Sequence, residues 1–259
     1  MKIALCMSGQ LRAVEQCYPS IDAGLRQGFD VDTFVHAWWD ASEVGTQYSH
    51  GAWHDLMPGC EGDIEVKPNA DAQMLDLYSP VKYLVEPQID FTQEAEECML
   101  VVQSHVELPP HCMQPRFGFC LLSMFYSMWQ SNELKRQYER AHGFLYDAVV
   151  RCRFDLDVRS KGVYGDLDLA KISTAWTWLD DFGDRGCGDM LAISSSANMD
   201  VYSGVYPAFK HLCSVTEDPL PYDHPKGHGW GAESLLNMHV REHGIEVNRS
   251  SLQAINVRV

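Results

Sequence analysis

Residues 2–7 form a short apolar run that stops abruptly at Ser8-Gly9-Gln10. Behind it Leu11, Val14, Tyr18, Ile21 and Leu25 recur three or four positions apart, the spacing of one helix face. Pro19 should kink or split that helix, because it lacks the backbone donor and its ring crowds the preceding turn. Residues 31–38, VDTFVHAW, are apolar and β-branched enough for a second strand. Strand, loop, helix, strand is the opening of a parallel α/β sheet. Residues 40–69 mix Gly, His, Pro and acids without periodicity and read as a long loop with at most a short helix. A third strand follows at 81–86, then a helix at 92–105 that Leu108-Pro109-Pro110 ends. Phe117, Leu121, Met124, Phe125, Met128 and Trp129 line one face of a helix running to about residue 141, with His142-Gly143 as its stop. That stripe is core packing. Residues 146–158 read as one strand, and 173–178 and 189–193 as two more around a Gly- and Asp-rich loop. A helix is expected at 199–212, an irregular Pro/Gly/His stretch suited to a mobile lid at 218–231, and a last helix at 232–243 stopped by Gly244. The tail 245–259 reads as one or two strands. With no repeat and no linker, the 259 residues read as a single α/β domain.

Composition narrows the chemistry. Thirty-six acidic against twenty basic residues give a net charge of −16, and the basic residues come singly or in pairs such as Lys135-Arg136. A surface that acidic repels a phosphate backbone, so nucleic-acid binding is not expected. The nearly apolar stretch 117–129 is too short to span a bilayer, and the start of the chain has no signal-peptide core. Nine cysteines, odd in number and without a CxxC pair, fit reduced thiols and a cytoplasmic setting.

Three segments carry candidate chemistry. In Ala148-Val-Val-Arg-Cys-Arg-Phe-Asp-Leu-Asp157, extended backbone would place Arg151, Arg153, Asp155 and Asp157 on one face. Open α/β sheets bind ligands at the carboxyl ends of their strands. There Asp155 and Asp157 suit a hard cation, Mg²⁺ or Mn²⁺, and the arginines suit phosphate; two internal Arg–Asp pairs on an edge strand are the plainer reading. Ser8-Gly9-Gln10-Leu11-Arg12 follows the first strand as a glycine-containing turn fit for close approach to an anion, or simply a tight turn. His228-Gly229-Trp230-Gly231-Ala232-Glu233 sets an aromatic between glycines and then a carboxylate at a helix start. Trp230 suits a sugar face and Glu233 a proton from a hydroxyl, although a first-turn acid also simply favours the helix dipole. Asp189 either shares that crevice or caps a turn, and His36 either edges a nucleotide pocket or serves the core. The remaining histidines show no HExxH spacing.

The order of these features resembles the nucleotide-sugar glycosyltransferases of the GT-A fold, and more closely capsule- or lipopolysaccharide-type glycosyltransferases of polysaccharide biosynthesis. The matching residues are Ser8–Arg12, Val31–Trp38, Tyr146–Asp155 and the strand that starts at Gly188-Asp189; the match is thin between residues 41 and 114. Residues 229–233, GWGAE, are similar to the GWGGE motif of galactosyltransferases, with Ala232 in place of Gly and Ser234 in place of the expected Asp. The resemblance implies a mostly parallel sheet flanked by helices, with a nucleotide-binding half at about 1–160 and an acceptor half at about 161–259. It implies a hexosyltransferase using a UDP- or GDP-linked donor and a glycan acceptor, with no transmembrane segment. Donor contacts would come from Ser8, Gly9, Gln10, Arg12, His36, Arg153 and Asp155, and the metal, Mn²⁺ or Mg²⁺, from Asp155, Asp157 and His228. Glu233 or Asp189 would be the base and Trp230 the acceptor platform. Two rivals stand beside it: a metal-dependent phosphohydrolase, and a non-catalytic glycan- or nucleotide-binding module on the same scaffold.

Overall fold

The structure, a computed structural model, describes residues 1–48, 64–104, 115–160, 163–165, 167–176, 186–215 and 231–257. The first half alternates strands and helices: β1 (Lys2–Gln10), α1 (Val14–Ile21), β2 (Asp30–Trp38), the two-residue strands β3 (Gln47–Tyr48) and β4 (Ile64–Glu65), α2 (Ala70–Tyr78), β5 (Lys82–Glu86) and α3 (Thr92–Gln103). A long helix, α4 (Pro115–His142), leads to β6 (Ala148–Cys152) and β7 (Leu156–Val158). Then come β8 (Ile172–Trp176), β9 (Leu191–Ser194), α5 (Ser196–Ser203), α6 (Val205–Ser214), α7 (Ala232–Glu242) and β10 (Val247–Asn256). Among the described residues eight strands form one mixed sheet in the order β5-β2-β1-β6-β9-β8-β10-β7, and β3 pairs with β4 apart from it. The half from β5 to β6 is parallel throughout; β9 runs antiparallel to both β6 and β8.

Alternation along β1 feeds both faces of the sheet. Ile3, Leu5 and Met7 meet Val14, Cys17 and Ile21 of α1 and Met74 and Tyr78 of α2 in one core. Ala4 and Cys6 point the other way, into a second core with Leu122, Phe125 and Met128 of α4 and side chains of α3, α5, α6 and α7. The stripe expected on α4 is therefore packing. On the same helix, Lys135 is fully buried and donates to Ser196 Oγ at 2.6 Å and to Asp200 Oδ1 at 2.7 Å, with Glu139 Oε2 at 3.1 Å. This satisfied cluster ties α4 to α5.

Several elements depart from the sequence pattern. The helix expected from Leu11 starts only at Val14, and past Pro19 it widens into a π-turn over Asp22–Arg26, closed by Gln27 N–H on the Asp22 carbonyl at 2.7 Å. The helix expected at 199–212 is two helices meeting at Gly204. A side chain there would sit 3.1 Å from the carbonyl oxygens of both Asp200 and Val201. Helix α2 lies just beyond the stretch read as loop, with Ala70, Met74 and Tyr78 as its buried stripe. The tail forms one strand, β10, whose register shifts between Arg249 and Gln253. No described helix is long and apolar enough to cross a membrane.

The largest correction concerns residues 146–158. They are not one strand: β6 ends at Cys152, the chain turns through residues 153–155, and β7 begins at Leu156 and pairs with β10. The alternation that put Arg151, Arg153, Asp155 and Asp157 on one face stops at the turn.

Candidate functional site

Strands β1 and β6 lie side by side and parallel, so their carboxyl ends open at the same edge of the sheet. At the end of β1, Gly9 has φ of 121°, a conformation side chains rarely adopt, and the place its Cβ would take is empty to 4 Å. The backbone is therefore open to close approach there. Gln10 Oε1 accepts from Arg12 Nε at 2.8 Å, which fixes the Arg12 guanidinium with Nη1 4.0 Å from Asp155 Oδ2. From the turn after β6, Arg153 grips Asp155 with a two-pronged fork, Nε to Oδ1 at 2.8 Å and Nη2 to Oδ2 at 2.6 Å. The Asp155 side chain is 6% exposed, whereas Arg153 is 21% and Arg12 29% exposed. The carboxylate thus lies behind the two cations. Burial opposes its charge, yet Arg153 and then Arg12 hold its carboxyl below the usual range. Burial also works against the Arg153 charge, but Asp155 and then Asp189 outweigh it and raise its pKa.

Asp189 links this cluster to a second one. Its charge acts on Arg153, on Arg151 and on Glu233 in the first turn of α7. Burial first, and the neighbouring Asp189 second, push the Glu233 carboxyl up to about 7. The dipole at the start of α7 works the other way but does not prevail. A carboxyl poised there is neutral or ionised near neutral pH, the range a general base needs.

The segment that carries Asp189 is held on three sides. Cys187 N–H donates to the Glu233 carbonyl at 3.0 Å, Tyr202 hydroxyl to the Gly188 carbonyl at 2.7 Å, and Arg151 Nη1 to the Met190 carbonyl at 2.6 Å. Gly188 is closely packed: a Cβ would stand 3.1 Å from Thr174 Cβ and 3.2 Å from the Ala175 carbonyl oxygen, so a side chain there would push its neighbours by a few tenths of an ångström. Arg151 is 2% exposed, and burial lowers its pKa against the pull of Tyr202 and Asp189.

The residues singled out from the sequence thus separate into groups. Gly9, Gln10, Arg12, Arg153 and Asp155 gather at the ends of β1 and β6, with Asp189 and Glu233 coupled to them by charge. Ser8 is at the same strand end but 1% exposed, its hydroxyl without a hydrogen-bond partner. His36 does not edge a pocket. It is fully buried, Nδ1 lies 2.7 Å from Ser127 Oγ and Nε2 2.9 Å from Glu86 Oε1, so neither ring nitrogen is left for a nucleotide. Burial lowers its pKa despite Glu86. His228 and Trp230 lie outside the described residues, as does most of the stretch read as a lid.

Asp155 and Asp157 do not converge on one ion site. Both Asp155 oxygens serve the Arg153 fork, while Asp157, beyond the turn on β7, accepts from Arg159 Nε at 3.0 Å. Among the described residues no three His, Cys, Asp or Glu side chains are grouped to hold a metal. His228, the third residue expected at that ion, lies outside the described residues.

Arg151, counted from the sequence among the arginines suited to phosphate, serves instead the Met190 carbonyl, and the part Tyr202 plays at the Gly188 carbonyl is not visible in the local pattern. An arginine inside an apolar strand, AVVRC, is the one available signal for the first, since a buried charge demands specific partners. Tyr202 sits in an ordinary helical stripe and carries no signal.

No family model and no curated protein matches the chain. Among solved structures it is similar to mouse xyloside xylosyltransferase 1 in its apo form, at 10% identity over 96% of this chain and 84% of that chain, with a TM-score of 0.43.

Proposed function

We propose that the protein is a glycosyltransferase that moves a sugar from a nucleoside-diphosphate donor to a glycan hydroxyl. The observation that supports this reading most is a pair of guanidiniums more exposed than the carboxylate between them at the carboxyl end of a parallel half-sheet, with Asp189 acting by charge both on Arg153 and on a carboxyl poised near neutrality. The guanidiniums suit the diphosphate of the donor, and Gly9 leaves room for the donor to lie against the backbone. Glu233 takes the proton of the acceptor hydroxyl as that oxygen bonds to the anomeric carbon and the anomeric carbon–phosphate oxygen bond breaks. Arg12 and Arg153 stabilise the negative charge that builds on the departing diphosphate. Burial first and Asp189 second keep Glu233 basic enough to accept a proton near neutral pH.

A screen of UDP- and GDP-linked sugars with mixed glycan acceptors, reading released nucleoside diphosphate and the anomeric configuration of the product, tests this. Release of nucleoside diphosphate together with a glycosylated product supports it. Release of inorganic phosphate assigns a phosphohydrolase, and nucleotide binding without turnover assigns a binding module.

A further inference from the structure

We propose that this site meets the charge of a diphosphate with Arg12 and Arg153 and needs no divalent ion to bind it. The inference rests on the donor reading above for the identity of the ligand, but its basis is the order of burial in the cluster. Asp155 is the innermost charge, 6% exposed, and both of its oxygens are already engaged by Arg153. A metal reaching that carboxylate would first have to break a bidentate, charge-assisted fork inside a poorly hydrated site, and would then find Asp157 engaged by Arg159 on β7. Among the described residues, the Asp155 fork uses only Nε and Nη2 of Arg153, and Gln10 uses only Nε of Arg12. Both arginine side chains are more exposed than the carboxylate they flank, 29% and 21% against 6%. Planar donors in fixed orientation match phosphate oxygens two at a time.

Charge supports the same reading. The chain carries −16 overall, so an anionic ligand is repelled from most of its surface. Here Arg12, Arg151 and Arg153 stand against Asp155 and Asp189, so the cluster does not share the negative excess of the chain. Asp155 acts as the brace behind Arg12 and Arg153: it holds both guanidiniums at a set spacing before any ligand arrives, which lowers the ordering cost of binding.

The test is calorimetric titration of the full chain with inorganic pyrophosphate, UDP and GDP, each in EDTA and again in excess Mn²⁺. The expected result is binding of pyrophosphate and of at least one nucleoside diphosphate in EDTA, with affinity changed less than about threefold by Mn²⁺. Arg153→Lys and Arg12→Gln should each weaken pyrophosphate binding by about 10- to 100-fold, the loss of one or two charge-assisted hydrogen bonds. The wild-type comparison stands even if a variant fails to fold. Binding that requires Mn²⁺, or absence of binding in both conditions, overturns the proposal. Sugar turnover is scored separately. Metal-free binding without transfer keeps the arginine pair and removes the glycosyltransferase reading, while Mn²⁺-dependent binding with transfer does the reverse.

Discussion

The backbone carbonyl of Glu233 accepts the N–H of Cys187 at 3.0 Å, so the start of α7 is stitched to the segment that carries Asp189 two residues later. The two acids of the site are therefore held near each other by a main-chain bond against their mutual repulsion. A backbone tether of this kind survives side-chain substitution, which makes the pair a clean subject for mutagenesis.

The pH dependence of turnover should report Glu233. As a base it must be ionised, so the rate should rise with pH through an apparent pKa of about 7. Asp189→Asn removes the second cause of that elevated value and should move this limb to lower pH. Glu233→Gln should lower turnover by about 10²- to 10⁴-fold with little change in donor affinity. A pH–rate profile of the three proteins checks all of this.

Stability should respond to the same carboxyl in the opposite sense. Its folded pKa, about 7, lies above the ordinary value of 4.5, so the neutral form is favoured by folding. That stabilisation is complete below pH about 4.5 and is lost as pH rises through about 7. Glu233→Gln has no such loss. Its stability relative to the wild type should therefore grow across this window, by about 2–3 kcal/mol at most. Urea unfolding at pH 5 and pH 8 measures the difference, and an equal gap at both values would show that Glu233 is not perturbed in the folded protein.

Tyr202→Phe removes one hydroxyl and leaves the Gly188 carbonyl without its 2.7 Å donor. A buried acceptor left unpaired costs about 1–3 kcal/mol. Because Gly188 precedes Asp189, turnover should fall more than the melting temperature alone accounts for when both are measured well below the transition.

Lys135→Met tests the polar cluster between α4 and α5. The substitution strands Glu139, 4% exposed, and Asp200 without the cation they share. Breaking a buried pair from one side costs about 3–5 kcal/mol. Denaturant unfolding should show a loss of that size, with pyrophosphate binding of the folded protein unchanged.

The sequence foretold the architecture where the apolar pattern was long and the punctuation sharp. Strands β1, β2 and β5 and helices α3, α4 and α7 lie within a few residues of their expected bounds, because each is an unbroken apolar run or stripe with a sharp stop. It was misleading where the hydrophobic pattern ran on while the backbone turned. Residues 153–155 continue a perfect alternation, yet Arg153 spends its side chain on Asp155 rather than on a strand face. Alternation records only which side chains avoid water, and a turn with its charges paired satisfies the same demand. His36 was ambiguous for a related reason: Ser127 and Glu86, which decide its role, are 91 and 50 positions away in the chain. The Glu233–Asp189 coupling likewise depends on packing between α7 and the β9 approach, which no local spacing encodes.

The shifted register of β10 has a consequence for how the site is made. Its first residues pair with β8, and its last three pair with β7, after which Val257 N–H donates to the Asp155 carbonyl at 2.8 Å. The turn bearing Arg153 and Asp155 is thus fastened from below by residues about a hundred positions later. Contacts of such wide separation form late, since the chain between them must first be ordered. The parallel half-sheet can assemble as soon as β6 has emerged from synthesis, but the turn with Arg153 and Asp155 gains this tie only when β10 closes. An N-terminal half of this chain made alone would carry Arg12, Arg153 and Asp155 and still lack the fastening that orients them.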